Sequence, residues 1–242
     1  ALLVDYIAKG DIDIMKVLML SKKQNVFCDY AELILKSSIN NEEYLSVRGN
    51  VGDNLNEELY WFKPDYLISF VSPWIVPGTL LRSARKSAIN FHPGSPDYPG
   101  TGCYNFALYE RADKYGVTVH KMEEKVDSGD IIMTSYFDIS PLETVESLKL
   151  KSMNRLLYCF EKIIANIISD APLPISEEKW RRKPFTRKEM YQLFEIDPLK
   201  HDNQEIERRI HAAAYPGEPG AYIKLFDRKF YLPFEERDPI VR

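Results

Sequence analysis

The chain has 242 residues, 45% of them apolar and 12% aromatic, enough for one large core or a main domain with an appendage. A net charge of −4 with both signs interspersed excludes the basic footprint of a nucleic-acid binder. No apolar run reaches the length of a membrane span, and three distant cysteines (Cys28, Cys103, Cys159) suit a reducing cytoplasm better than a disulfide framework or a metal knuckle.

In chain order, residues 2–8 have helical apolar spacing and stop at Gly10. Residues 16–20 read as a buried strand, 29–36 as a helix, 44–47 as a short strand, and 54–62 as a helix with Asn54 as its cap. The strongest strand of the first half is 65–71, followed by a short helix at 80–85 and a strand at 88–91. A helix at 102–110, an alternating strand at 115–122, a turn at 126–130 and a strand at 131–136 come next. From 143 to 168 runs one long helix with Leu148, Leu156, Phe160 and Ile163 on its apolar face. Apolar strands alternating with helices predict an α/β domain with a mostly parallel sheet, whose ligands bind beyond the carboxyl ends of the strands. Ala171-Pro172-Leu173-Pro174 divides this domain, 1–170, from a more charged stretch, 171–242. The latter is expected to hold a helix at 202–211 and a β-hairpin, 222–225 with 229–232, joined through Asp227-Arg228: a small α+β appendage.

The chemistry points to residues 88–102. His92 to Gly100 packs three prolines and two glycines into nine residues, a loop able to hold one shape close to a ligand. Asn90 and His92 leave an extended strand on the same face, and Asp127 follows a later strand. Brought together, these would be an oxyanion donor, a general acid/base and an orienting carboxylate. For the 88–102 stretch alone, a buried Asn–His pair that only satisfies backbone groups is an equal reading. No Gly-x-Ser-x-Gly elbow supports a serine hydrolase. A metal on His92, His120 and Asp127 has no HExxH or CxxC behind it, so none is expected.

Asn90-Phe91-His92-Pro93, Ser95, Pro99 and Gly100, then Gly116-Val117-Thr118-Val119-His120 and Val126-Asp127-Ser128-Gly129, resemble the folate-dependent formyltransferases. Aspartate seven residues after the second histidine, all within about forty residues, makes the combination specific. Arg181-Arg182-Lys183-Pro184, Arg208 to Ala212 and Pro219-Gly220-Ala221-Tyr222 resemble the tail of the sugar-nucleotide N-formyltransferases, and the loop from Ser95 to Tyr109 resembles most closely the members acting on dTDP-linked amino-dideoxysugars. The resemblance implies a Rossmann-like domain whose first strand is missing here, 10-formyltetrahydrofolate as co-substrate, no metal, and a homodimer. It implies Asn90, His92 and Asp127 as catalytic, with the folate against Phe70, Ser72, Trp74, Ile75, Val76 and Val126. Ser95, Tyr98, Gly100 and Thr101 would shape the sugar pocket, Arg181 and Arg182 would meet the pyrophosphate, and Tyr215 or Tyr222 would stack on the base. Residues 171–242 would contribute to sugar-nucleotide binding and dimerisation. The expected activity is N-formylation of dTDP-4-amino-4,6-dideoxyglucose, or its 3-amino isomer, for O-antigen or another surface glycan. A formyltetrahydrofolate hydrolase of the same fold and a non-catalytic nucleotide-binding module are the alternatives.

Overall fold

The computed structural model describes residues 15–39 and 44–232; the helix expected at 2–8 lies outside them. The elements in order are β1 (Val17–Lys22), α1 (Val26–Ser38), β2 (Tyr44–Gly49), a 3-10 turn (Glu57–Trp61), β3 (Tyr66–Phe70), α2 (Gly78–Leu81), β4 (Ser87–His92) and α3 (Cys103–Tyr109). Then follow β5 (Lys114–Lys121), β6 (Ile131–Asp138), α4 (Val145–Ile168), α5 (Arg187–Phe194), β7 (Glu195–Ile196), α6 (Asn203–Ala213), β8 (Tyr222–Leu225) and β9 (Arg228–Tyr231).

The main sheet has the order β2-β1-β3-β4-β5-β6, parallel from β2 to β4 and antiparallel beyond it. Period-two alternation gives the inner strands β1 and β3 two buried faces. Val17 and Met19 of β1, with Ile68, Phe70, Ile89 and Phe91, face a layer made by α1 and α4. Leu18, Leu20 and Leu67 face Val76 and Leu80 on the other side. Phe160 of α4 lies edge-on to Phe70 at 5.2 Å and tilted against Phe91 at 5.0 Å, locking the long helix to the strands that carry the site. A Thr144–Ser147 capping box starts α4 two residues later than the spacing predicts.

Three local readings are corrected. The predicted helix at 54–62 is a 3-10 turn over Glu57–Trp61, because Asn56, rather than Asn54, accepts the cap hydrogen bond. The hairpin turns through Phe226 and Asp227, both at positive φ, so β9 begins one residue earlier than expected. Helix α5 was not predicted; its signal is the capping box of Thr186 and Glu189. β7, β8 and β9 form the small C-terminal sheet, and Arg209 of α6 donates to the Gln192, Leu193 and Glu195 carbonyls at the end of α5. Among the described residues no helix is long and apolar enough to cross a membrane.

Candidate active site

The pairing of β4 with β5 builds the site. Asn90 stands opposite His120 in the register and His92 opposite Thr118. A shift in the β5–β6 register falls between Val119 and His120, and the chain then turns through Asp127 at φ 43°. A non-glycine residue held there costs on the order of 1–3 kcal/mol, which the surroundings must offset.

Those surroundings are specific. Asp127 Oδ2 accepts from the Gly100 amide at 2.7 Å and faces His92 Nδ1 at 3.3 Å. Its Oδ1 lies 3.2 Å from His120 Nε2 and accepts from the Asn90 amide at 3.4 Å. Asn90 Nδ2 is 3.0 Å from His120 Nε2, and His120 Nδ1 donates to the Lys121 carbonyl at 2.7 Å. Burial alone would raise the Asp127 carboxyl. The facing His92, the His120 contact and the Gly100 amide outweigh it and hold the carboxyl well below the ordinary carboxylate range. His92, His120 and Asp127, each at most 6% exposed, thus form one buried polar cluster. Among the described residues no three such side chains are arranged to hold a metal ion.

The loop after His92 is braced from below and from the side. Tyr115 donates to the Pro93 carbonyl at 3.1 Å and Thr118 to the Gly94 carbonyl at 2.7 Å. His92 Nε2 lies 3.0 Å from the Tyr98 carbonyl. Residues 181–185 run alongside: Arg181 N donates to Pro96 O at 3.0 Å, Phe185 N to Pro99 O at 2.9 Å, and Thr101 N to Phe185 O at 2.9 Å. Gly100, at φ 86°, must be glycine, since a Cβ would sit 2.3 Å from the Phe185 carbonyl oxygen.

Ser72, Trp74, Ile75, Val76 and Val126 line a cleft of about 380 Å³ together with Asn90, His92, Asp127, Gly100 and Thr101. Val71, at φ 50°, turns the backbone out of β3 into its wall. Trp74 is pinned by donation to the Asp53 carbonyl at 2.8 Å, and its ring packs where Gly49 has no side chain. Phe70 is absent from the cleft: its ring is fully buried between Phe91 and Phe160.

The expected sugar-nucleotide residues scatter. Ser95 and Tyr98 are buried inside the loop, Tyr98 stacked on Tyr115 at 5.8 Å. Arg181 is paired with Asp97 and Glu178, and Arg182 with Glu110. Tyr215 packs in the core around α3 and bonds Lys149, while Tyr222 is buried in the small sheet and donates to the Tyr191 carbonyl. Sequence reasoning missed Arg187, which lines the cleft, and Trp180, whose ring stands at 87° to His120, 5.0 Å away, and at 69° to His92, 5.9 Å away. His120 was legible as part of the motif but was not assigned to the catalytic set.

Residues 2–156, more than half of the chain, match the formyl transferase family. The chain belongs to that family. GDP-perosamine N-formyltransferase of Brucella melitensis is 27% identical over 187 residues, covering 74% of this chain and 69% of that protein. Methionyl-tRNA formyltransferase of Rickettsia massiliae is 29% identical over 115 residues, 47% of this chain and 38% of its own length. A sugar N-formyltransferase structure from Shewanella sp. superposes with a TM-score of 0.73 at 17% identity, covering 91% of this chain and 97% of that one. A 4-N formyltransferase from Francisella tularensis gives 0.72 at 19% identity, with 91% and 98% covered. The protein is an N-formyltransferase of Rossmann-like fold.

Proposed function

We propose that the enzyme moves a formyl group from 10-formyltetrahydrofolate to the amine of a nucleotide-linked amino sugar. The observation that carries this reading is the Asn90–His92–His120–Asp127 cluster at the floor of the Trp74–Val126 cleft in a formyltransferase chain. The sugar is supported by the Brucella relative, named for GDP-perosamine, and by the sugar N-formyltransferase folds. A further fold neighbour, from Helicobacter canadensis, is described with folinic acid and dTDP-3-aminofucose. As first acceptor we propose dTDP-4-amino-4,6-dideoxyglucose, with its 3-amino isomer next. The same reading has a cytoplasmic homodimer preparing sugars for a surface glycan.

The cleft fits the donor: Trp74, Ile75 and Val76 offer a fixed apolar wall for a flat heterocycle, and Ser72 and the turned backbone at Val71 offer polar groups beside it. When bound, the donor supplies an electrophilic formyl carbon. Asn90 would donate to the oxygen that becomes negative as the amine adds, and His92 would take the amine proton. Ionised Asp127 would steady the positive charge that His92 then carries; the intermediate would collapse by breaking the bond from the formyl carbon to the folate nitrogen, which takes up that proton and leaves as tetrahydrofolate. A sugar amine with a pKa of roughly 8 has a neutral fraction at pH 7, so no side-chain nucleophile is needed. Arg187 and Lys125 line the cleft without a side-chain partner among the described residues, and they are the cations we assign to substrate anions.

The test is release of tetrahydrofolate from 10-formyltetrahydrofolate by purified protein, with and without dTDP-linked and GDP-linked amino sugars. Sugar-dependent release is expected. Equal release without sugar would assign hydrolysis, and no release with any amino sugar would overturn the reading.

A further inference from the structure

Trp180 lies beyond the residues that match the family, yet it reaches the centre of the site. Its Nε1 donates to the Gly129 carbonyl at 2.9 Å, two residues after Asp127, so the indole hangs from the turn that carries the carboxylate. From there its ring meets both imidazoles nearly at right angles, the arrangement that aromatic quadrupoles favour. The next residue, Arg181, bonds through its backbone to Pro96 in the loop after His92.

The imidazoles need such a support. The ring nitrogens of His92 are met by Asp127 and the Tyr98 carbonyl, and those of His120 by Asp127, Asn90 and the Lys121 carbonyl. Contacts at the nitrogens hold each ring through its polar edge, and an aromatic packed across both rings resists the tilting that stretching those contacts would allow. Among the described residues Trp180 is the aromatic that contacts both rings. It is half-buried, braced on both sides by backbone pairing, and therefore a stiff stop.

We propose that Trp180 is a positioning residue of the catalytic centre, fixing the planes of His92 and His120 from outside the family-matched domain. The inference concerns the reaction assigned above and rests on that reading for its kinetic part only. Its structural part is read without substrate, from the ring resonances of ¹⁵N-labelled histidine. The chain has four histidines, so His201 and His211 serve as internal references.

In Trp180→Ala the His92 and His120 resonances are expected to move while those of His201 and His211 stay. Turnover should fall on the order of tenfold to a hundredfold, with KM for both substrates within about threefold, as misplaced catalytic groups require. Trp180→Phe keeps a ring and should recover most of the turnover. Unmoved His92 and His120 resonances, or a raised KM with unchanged kcat, would overturn the proposal. Should Trp180→Ala fail to fold, Trp180→Leu takes its place, filling space without a flat ring, with the same expected and overturning results. If the resonances move but no amino sugar is formylated by the unsubstituted enzyme, the functional reading fails and the positioning role stands.

Discussion

The catalytic corner and the basic run at 181–183 meet along one loop, yet they handle charge in opposite ways. Asp127 is buried; it accepts from the Gly100 and Asn90 amides and faces one ring nitrogen of each histidine. Arg181 and Arg182 are on the surface, and each is already answered by a carboxylate: Asp97 and Glu178 for one, Glu110 for the other. The corner thus gathers donors and two imidazoles around one buried carboxylate, whereas the run's charge ties the C-terminal segment to the domain. A cluster of arginines near a site is not a phosphate site until its partners are counted.

The largest effect is expected from His92→Ala or Asp127→Ala, each lowering kcat on the order of a thousandfold or more in the tetrahydrofolate-release assay, with little change in KM. Asn90→Ala should cost about a hundredfold to a thousandfold in kcat, the range for one oxyanion donor. A variant that kept full rate would remove Asn90 from the mechanism.

Asp127 also makes a pH prediction. Its folded carboxyl is depressed, so its stabilising contribution is complete above the unfolded value of about 4 and is lost as pH falls below it. Thermal melts from pH 6 down to pH 3 should therefore show a flatter acid limb for Asp127→Asn than for the unsubstituted protein; parallel curves would contradict the depressed carboxyl. Gly100→Ala should destabilise by about 2 kcal/mol, from its positive φ and the clash with Phe185, and lower the melting temperature by several degrees.

The smallest effects should come from Arg181→Ala and Arg182→Ala. Both pairs are about a third or more exposed on the arginine side, so each change should alter stability by less than about 1 kcal/mol. KM for the sugar nucleotide should stay within about threefold. A tenfold rise would mean that the pairs open to receive the pyrophosphate, and the contrast drawn above would dissolve.

The sheet was legible because strands such as Val17–Lys22 and Tyr66–Phe70 are mostly apolar runs bounded by charged or turn residues, and α4 because nine apolar positions share one face. Asn90, His92 and Asp127 were legible because strand ends and turns keep their spacing from sequence to space. Helix α5 was not, since it is eight residues long and its start rests on the Thr186–Glu189 pair rather than on an apolar stripe. Trp180 and Arg187 were invisible for another reason: their neighbours lie across the fold, and no local pattern reports a partner about fifty or more residues away. Phe70 ends β3 at the edge of the cleft, with its side chain in the core, so only its backbone is at hand there.

The backbone pairing of 181–185 with the loop at 96–101 also has a consequence for biosynthesis. The loop leaves the ribosome more than eighty residues before the strand-like segment that clamps it. The main sheet can collapse on its own apolar faces as it is made, but the loop beside His92 has to wait for late-arriving chain before Pro96, Pro99 and Thr101 find their partners. The chain would thus acquire its framework first and the backbone bracing of the loop beside His92 last.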